Sequence, residues 1–394
     1  MKRRLITTDC HIAPPFALVD ELPEQYRHYF PRIDHREDGD YLVRPTRQTD
    51  AKGMTAHVRA AARMARARDM SKMPSVKLDG ARAMAREGVG NVCPEAQPSY
   101  DPAEQLADLE RDGVYGMVLI GSGFSSFGSL HPVPVEVDIA YCRLVNDWLA
   151  DTWHPHLNRV APGIHLPLQS IEASVKELER AAGMGLRPAL LPDAISERPY
   201  FYDEWEPIWE VCDGLKVPIT MHVGTRSNPG LERGIAPGQS YIFWYNQCVG
   251  LGETLGWLTF GGVFERYPDL HVVVTEGYAA WLAFAIQFWD HHWLDSRFSE
   301  VADLAGPARA KIEAPPSHYL KRQAHATFMW DPIAIREREV TGLDCLLWGN
   351  DYPHYEGLFP DSQQWVDKQF SGVPEHEIDQ VVRGNAARIF GLDI

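Results

Sequence analysis

Short apolar runs rich in β-branched residues recur through this chain, each followed by a stretch with helical spacing. They fall at residues 5–12, 115–120, 160–166, 188–191, 217–223, 271–276, 325–330 and 345–351. A strand, a helix and another strand in repeated succession is the pattern of a parallel sheet with helices packed outside it. The intervening helices carry their own start signals. Asp101 and Pro102 open one that runs to Arg111, and Ser170 precedes another over 171–182 that ends near Gly183. A further helix is expected over 279–290. Eight such units predict an α/β fold of the closed kind, a (β/α)8 TIM barrel, rather than an open sheet.

The rhythm breaks once at length. Residues 14–100 are far too long for an ordinary strand-to-helix connection, so they read as an insertion after the first strand. The chain is then a single domain over 1–394, with 14–100 an inserted lid or interface segment. A helix is expected inside it over 55–69. A second excursion, 297–320, separates the sixth and seventh units. Neither an internal repeat nor a low-complexity tract is present.

Composition narrows the function classes. The 394 residues are 45% hydrophobic, enough for a large core, and the formal charge of −16 argues against a nucleic-acid partner. The one basic cluster, from Arg59 to Arg68, is mixed with Ala and Met at helical spacing and reads as a solvated helix face. Six cysteines, at 10, 93, 142, 212, 248 and 345, contain no Cys-x-x-Cys pair, which favours a reducing, cytoplasmic setting. Thr7, Thr8 and Asp9 interrupt the first apolar run, so it fails as a signal peptide, and no stretch is long enough to be a membrane span. Tryptophan-rich segments such as Phe288-Trp289 and Trp293 point to a homo- or hetero-oligomer.

The polar residues gather where a barrel keeps its chemistry, at the C-terminal ends of strands. Asp9 and His11 end the first run, two apart on an extended segment and so on one side of it. His222 ends the fifth run, with Arg226 on the loop above. Glu276 ends a run of three valines, where a carboxylate is costly to bury without a cation or strong hydrogen bonds. Asp351 and His354 follow the eighth run in Trp348-Gly349-Asn350-Asp351-Tyr352-Pro353-His354. Mixed imidazole and carboxylate donors arriving from several strands suit a divalent metal. Asp9, His11, His222, Glu276, Asp351 and His354 are therefore the candidate ligands. Asp351, Glu276 and His354 are the candidate catalytic groups, with Arg226 and His165 facing substrate. His131 is a further candidate for substrate contact. Bland readings stand beside these: His165 as packing, His291 and His292 as outer-layer residues, His271 at the opposite end of the barrel, and Cys10 turned away from its neighbours. No nucleophile elbow, phosphate loop or dinucleotide fingerprint occurs in the required context.

Several segments together resemble the amidohydrolase superfamily, specifically the amidohydrolase-related branch of aminocarboxymuconate semialdehyde decarboxylase-like proteins. They are Asp9-Cys10-His11, Pro167-Leu168-Gln169, Met221-His222-Val223-Gly224, the run from Gly261 to Leu270, and Gly349-Asn350-Asp351-Tyr352-Pro353-His354. The resemblance implies a metal-dependent barrel in which Asp9, His11, His222 and Asp351 hold an ion. Two positions depart from the family. Asp9 stands where relatives carry His or Glu. Glu276 stands where the decarboxylases carry a histidine after the sixth strand.

The resulting expectation is a metal-dependent hydrolase or lyase acting on a small carboxylated organic molecule, with one divalent ion, zinc or manganese, and with Glu276 or Asp351 moving the proton. A first alternative is a dinuclear non-haem iron or manganese oxygenase on the same barrel, in which Glu276 and His354 complete a site for two metals including iron. A second is a non-catalytic scaffold subunit.

Overall fold

The computed structural model describes residues 3–43, 76–78, 85–86, 89, 91–121, 133–194, 198–224, 239–295, 297 and 310–394. Each of the eight expected strands is present. They are β1 (Leu5–Ile12) and, after three short strands of the insertion, β2 (Arg32–Arg36), β3 (Gly39–Val43) and β4 (Val76–Leu78), the series β5 (Val114–Gly121), β6 (Val160–Pro162), β7 (Ala189–Pro192), β8 (Ile219–His222), β9 (Val272–Thr275), β10 (Ala324–Phe328) and β11 (Leu346–Trp348). Five, β6 and β8 to β11, are shorter than the apolar runs suggest; at β8 the strand starts after Pro218, which has no N–H to give to a ladder.

The parallel strands form two arcs, β1-β5-β6 and β11-β10-β9-β8-β7. Single parallel bridges link the arcs at both seams, Ile164 to Ala189 and Cys10 to Tyr352. The His11 N–H donates to the Tyr352 carbonyl at 2.6 Å, and Leu190 N–H to that of Ile164 at 3.0 Å. The eight strands thus follow one another around a cylinder in chain order, as a (β/α)8 barrel requires. Its interior is filled from both arcs: Ile6, Val118, Ala161, Val273 and Leu347 meet in one cluster with Ala386 and Phe390 of the last helix, Asn385–Phe390. That helix closes the end opposite the polar residues. A larger core lies between strands and helices and includes fully buried Trp153, Trp205 and Trp209. Among the described residues no helix is long and apolar enough to cross a membrane.

The local signals act as expected. The Asp101 carboxylate accepts from Ala103 N–H at 2.8 Å at the start of the helix Pro102–Arg111, and Ser170 Oγ accepts from Ala173 N–H at 3.2 Å at the start of Ile171–Gly183. Trp289 and Trp293 are part-buried against the core. The exposed aromatic surface is made instead by Tyr241, Trp244, Tyr245, Phe284 and Phe288 on the helices Gln239–Phe260 and Ala280–Leu294.

Within the insertion, β2, β3 and β4 form an antiparallel sheet of their own. Its last part returns to the barrel mouth. Val92 bridges His354, Cys93 N–H donates to the Pro353 carbonyl at 2.8 Å, and Tyr355 N–H to that of Asn91 at 2.8 Å. The Arg86 guanidinium ties this stretch together by donating to the carbonyls of Val92, Cys93 and Ala96. The helix expected over 55–69 and the basic cluster within it lie outside the described residues.

Candidate metal centre

The position of Asp9 and His11 depends on an irregularity in β1. Ile6 points into the barrel, so regular alternation would send Thr8 and Cys10 inward as well. The β1–β5 register shifts between Thr7 and Cys10, where Thr7 Oγ1 donates to the Asp9 carbonyl at 2.9 Å. Thr8 still points inward, 2.8 Å from Thr327 Oγ1 of β10, while Cys10 turns outward with its Sγ 3.5 Å from Met117 Sδ. The extra residue turns Asp9 and His11 into the mouth together, with His11 Nε2 3.2 Å from Asp9 Oδ1.

The other strands deliver their groups to the same point. His222 Nε2, at the end of β8, lies 3.5 Å from Asp9 Oδ1 and 3.2 Å from Glu276 Oε2 beyond β9. Asp351 Oδ1, beyond β11, is 3.1 Å from His11 Nε2 and accepts from His354 Nδ1–H at 2.8 Å. The imidazoles of His354 and His11 stack with centroids 4.2 Å apart. Glu276 and Asp351 both adopt left-handed backbone, with φ of 59° and 54°. Non-glycine residues take that conformation at a cost, and it concentrates at functional sites. Two glycines make room. A Cβ on Gly349 would lie 2.7 Å from Asp9 Cβ, and one on Gly277 would lie 2.0 Å from Leu251 Cδ1.

The hydrogen bonding of these groups describes a receptor for a cation. His222 Nδ1 lies 2.8 Å from the Val223 carbonyl, which can only accept, so Nδ1 carries a proton, and in the neutral ring Nε2 offers a lone pair for a metal. That lone pair faces two carboxylate oxygens. Both oxygens of Asp9, both ring nitrogens of His11, His222 Nε2 and Asp351 Oδ2 are buried without a hydrogen-bond partner. Donor atoms held about 2.1 Å from one ion lie roughly 3.0–3.4 Å from each other, and the separations here run from 3.1 to 3.5 Å. Asp9, His11, His222 and Glu276 each bring a ligand atom within 4.8 Å of the others, as do His11, Asp351 and His354. The residues fit a divalent metal.

Electrostatics carries the same demand. Burial would raise Asp9 and lower His11, but the neighbours outweigh it: His11 and His222 hold the Asp9 carboxyl far below the usual carboxylate range, and Asp351 and Asp9 push His11 up to about 10. Burial, with the charges of Asp351 and Asp9, pushes Glu276 well above its ordinary value. The cluster needs positive charge. A proton on His11 supplies one unit, and a divalent ion supplies two while satisfying the lone pairs directly.

His165 follows the Ile164 bridge and is buried, with its backbone N–H and C=O both bonded to the Asn146 side chain at 2.8 and 2.9 Å; it is in none of the ligand groups among the described residues. Arg226 and His131 lie outside the described residues. His271 is at the far end, its Nδ1 3.0 Å from His325 Nε2, and His291 is exposed on an outer helix. One contributor escapes the sequence reading, while Glu356, which the sequence leaves between assisting and facing solvent, joins the site. Asp331, after β10, accepts from the N–H groups of Ala279, Ala280 and Ala334 at 2.9, 2.9 and 3.0 Å and so fixes the turn that follows Glu276. Its only sequence signal is Asp331-Pro332 opening a short helix. Glu356 shares a ligand group with Glu276 and Asp351, and the Asn91 side-chain amide donates to its Oε2.

A sequence profile described as amidohydrolase matches residues 128–392. The chain is 26% identical over 305 residues to the 2-amino-3-carboxymuconate-6-semialdehyde decarboxylase of Dictyostelium discoideum, covering 75% of this chain and 77% of that one. It is 24% identical over 267 residues to the gamma-resorcylate decarboxylase of Polaromonas sp. strain JS666, covering 64% and 76%. Among solved structures it resembles the 5-carboxyvanillate decarboxylase of Novosphingobium aromaticivorans, in complex with manganese and 4-hydroxy-3-methoxy-5-nitrobenzoic acid. The TM-score is 0.65 at 19% identity, over 86% of this chain and 93% of that one.

Proposed function

This chain belongs to the amidohydrolase family, and from that membership we propose that it is a metal-dependent lyase that removes a carboxylate from a small, unsaturated or aromatic acid. The observation that carries the reading is the Asp351–His354 pair at 2.8 Å, set beside a buried cluster of unpartnered ligand atoms. Asp9, His11, His222 and Asp351 would hold the principal divalent ion, manganese or zinc. When bound, that ion supplies electrophilic polarisation of an oxygen substituent on the substrate.

The protein's own groups do the rest. Loss of carbon dioxide leaves the bond's electron pair on carbon, and that carbon must take a proton. His354 is placed to give it: its Nδ1–H is held by Asp351, which fixes the ring, and its side chain is partly open at 16% exposure while Asp351 is fully buried. The proton given to carbon leaves from Nε2 of the imidazolium form, which the Asp351 carboxylate at Nδ1 stabilises, and solvent restores it. The Asn91–Cys93 stretch, bonded along the Pro353–Tyr355 loop, would act as the edge of a lid that limits water at this point. Arg226, four residues after His222 in the sequence, and His165 are our candidates for orienting the substrate.

Three supports converge on decarboxylation: the two decarboxylase relatives, the carboxylated aromatic ligand of the fold neighbour, and the proton-donating pair. Hydrolysis is the alternative within the same family. The test is anaerobic incubation of manganese-loaded protein with a panel of hydroxylated and aminated aromatic carboxylates, following carbon dioxide and the decarboxylated product. Release that is lost in His354→Ala supports the reading. Product formed only by hydrolysis, or turnover that requires oxygen, overturns it.

A further inference from the structure

The backbone of Asp351, with φ of 54°, is one that a non-glycine residue keeps only where its surroundings over-determine it. The residues on either side, Asn350 and Tyr352, are fully buried, and both reach out of the barrel to the end of the helix Pro102–Arg111. Tyr352 OH donates to Asp108 Oδ2 at 2.5 Å, and Asn350 Nδ2 donates to Asp112 Oδ2 at 3.3 Å. Asp108 and Asp112 are themselves buried and stand about one helical turn apart. We infer that Asp108 and Asp112 are positioning residues for the metal centre, acting through Tyr352 and Asn350 to set Asp351 and, beyond it, the end of β1. The inference rests on the reading that Asp9, His11 and Asp351 hold an ion.

The reach to β1 runs through the same two residues. Asn350 N–H donates to Thr7 Oγ1 at 3.0 Å, and that hydroxyl donates to the Asp9 carbonyl at 2.9 Å, inside the register shift that turns Asp9 into the mouth. The Tyr352 carbonyl accepts the His11 N–H at 2.6 Å. Asp9, His11 and Asp351 are therefore all tied to one helix end that lies outside the barrel. The insertion is tied to it as well. Gln97 N–H donates to the same Asp108 Oδ2 at 2.7 Å, and Arg111, paired with Asp108 Oδ1, donates to the Glu95 carbonyl at 3.2 Å. The loop around Asp351 and the part of the insertion that borders it thus share one oxygen.

The chemistry of the junction explains why carboxylates stand there. Tyr352 OH, Asn350 Nδ2 and the N–H groups of Gln97 and Ser362 are all donors, the last lying 2.9 Å from Asp112 Oδ1. A carboxylate only accepts, takes several donors at once, and binds each more strongly than a neutral acceptor does. Loss of a partner behind a metal ligand typically lowers metal affinity about 10–100-fold. Tyr352→Phe is the cleanest removal. It deletes one O–H, keeps the ring against Phe359 with centroids 5.0 Å apart, and leaves Asp108 Oδ2 its bond from Gln97, so no buried acceptor is orphaned.

The experiment uses full-length protein stripped with chelator. Manganese(II) affinity is read by equilibrium dialysis and amide exchange of the stripped form by mass spectrometry, both well below each variant's unfolding midpoint. Tyr352→Phe should weaken manganese about tenfold or more and speed exchange in the peptide covering 350–358, with 91–98 as in wild type. Asp108→Ala should weaken manganese as much and speed exchange in both peptides, and Asp108→Asn, which keeps one acceptor oxygen, should recover part of the affinity. Val145→Ala, in the outer core on the helix Val135–Trp153, is the control: it should lower the unfolding midpoint and leave affinity within about twofold. Wild-type affinity in Tyr352→Phe, whether or not exchange quickens, or an equal loss in Val145→Ala, overturns the positioning role and leaves the metal centre standing. Wild-type protein that takes up no manganese overturns the metal centre and this inference together.

Discussion

Replacing Asp331 should uncouple the active-site turn without touching any candidate ligand. Its carboxylate accepts three backbone N–H groups, two of them, from Ala279 and Ala280, on one oxygen at 2.9 Å. Those two amides lie directly after Glu276-Gly277-Tyr278, where Glu276 and Tyr278 both have positive φ, at 59° and 57°. A hydrogen bond to a charged group contributes roughly 1.5–3 kcal/mol net, and an orphaned buried donor costs a similar amount. Asp331→Ala removes both bonds to this turn, so about 3 kcal/mol of local stability should be lost. At about 1.4 kcal/mol per tenfold, that is on the order of a hundredfold faster amide exchange at Ala279 and Ala280. Hydrogen-exchange mass spectrometry of the peptide covering 277–283 reads it directly. Asp331→Asn keeps one acceptor oxygen and should fall between. Because Glu276 sits at the start of the relaxed turn, manganese affinity should drop about tenfold or more in the alanine variant. If exchange in 277–283 and metal affinity both stay within twofold of wild type, Asp331 does not hold this turn.

Asp351→Asn should lower turnover at least about a thousandfold while leaving the circular dichroism spectrum unchanged; a variant retaining a tenth of the activity would remove Asp351 from the reaction. Gly349→Ala forces a Cβ to within 2.7 Å of Asp9 Cβ and 2.9 Å of Thr327 Cγ2, so it should destabilise the protein by about 1–3 kcal/mol and weaken metal binding, seen by denaturation and dialysis together. Away from the site, burial lifts Asp138 from 3.8 to about 7 in spite of hydrogen bonds from Gln169 and Cys142. The folded state therefore binds this proton more tightly than the unfolded one. Stability from this group is greatest below about pH 4, falls as pH rises towards 7 and is level above, by up to about 4 kcal/mol. Asp138→Asn should flatten that decline in thermal unfolding between pH 5 and 8, and an unchanged pH profile would assign the effect elsewhere.

The parts of this protein that follow from periodicity and turn chemistry were legible in its sequence. Alternation and β-branching placed eight strands, and caps such as Asp101 and Ser170 placed helix starts to within a residue. Strand ends told which polar residues would meet, because in a barrel every such end opens on one mouth. The groups at β1, β8, β9 and β11 do meet there. Surface was harder to read. In the segments that point to an apolar surface, Phe288 is exposed while Trp289 and Trp293 are part-buried against the core, Trp289 lying beside Gly256.

What remained hidden has a common cause: it depends on backbone shape between elements rather than on the pattern within them. Simple alternation from Ile6 would have turned Cys10 inward and Asp9 outward. The register shift after Thr7 reverses this, and no residue type in Thr7-Thr8-Asp9 announces it. Positive φ at Glu276 and Asp351 is similarly silent, because neither residue is the glycine or asparagine that usually marks such a position. Asp331 and Asn91 act through partners 52 and 265 positions away, Ala279 and Glu356, and a single sequence holds no signal at that range. Yet these residues decide the chemistry. A carboxylate at position 276 could have been an ordinary helix-start residue, and the turn held by Asp331 aims it at His222 instead, at 3.2 Å. The family resemblance implies a histidine after the sixth strand, and this chain offers a carboxylate there in place of an imidazole. Burial, with the charges of Asp351 and Asp9, pushes that carboxyl upward, so a cation at the mouth is what would keep it ionised.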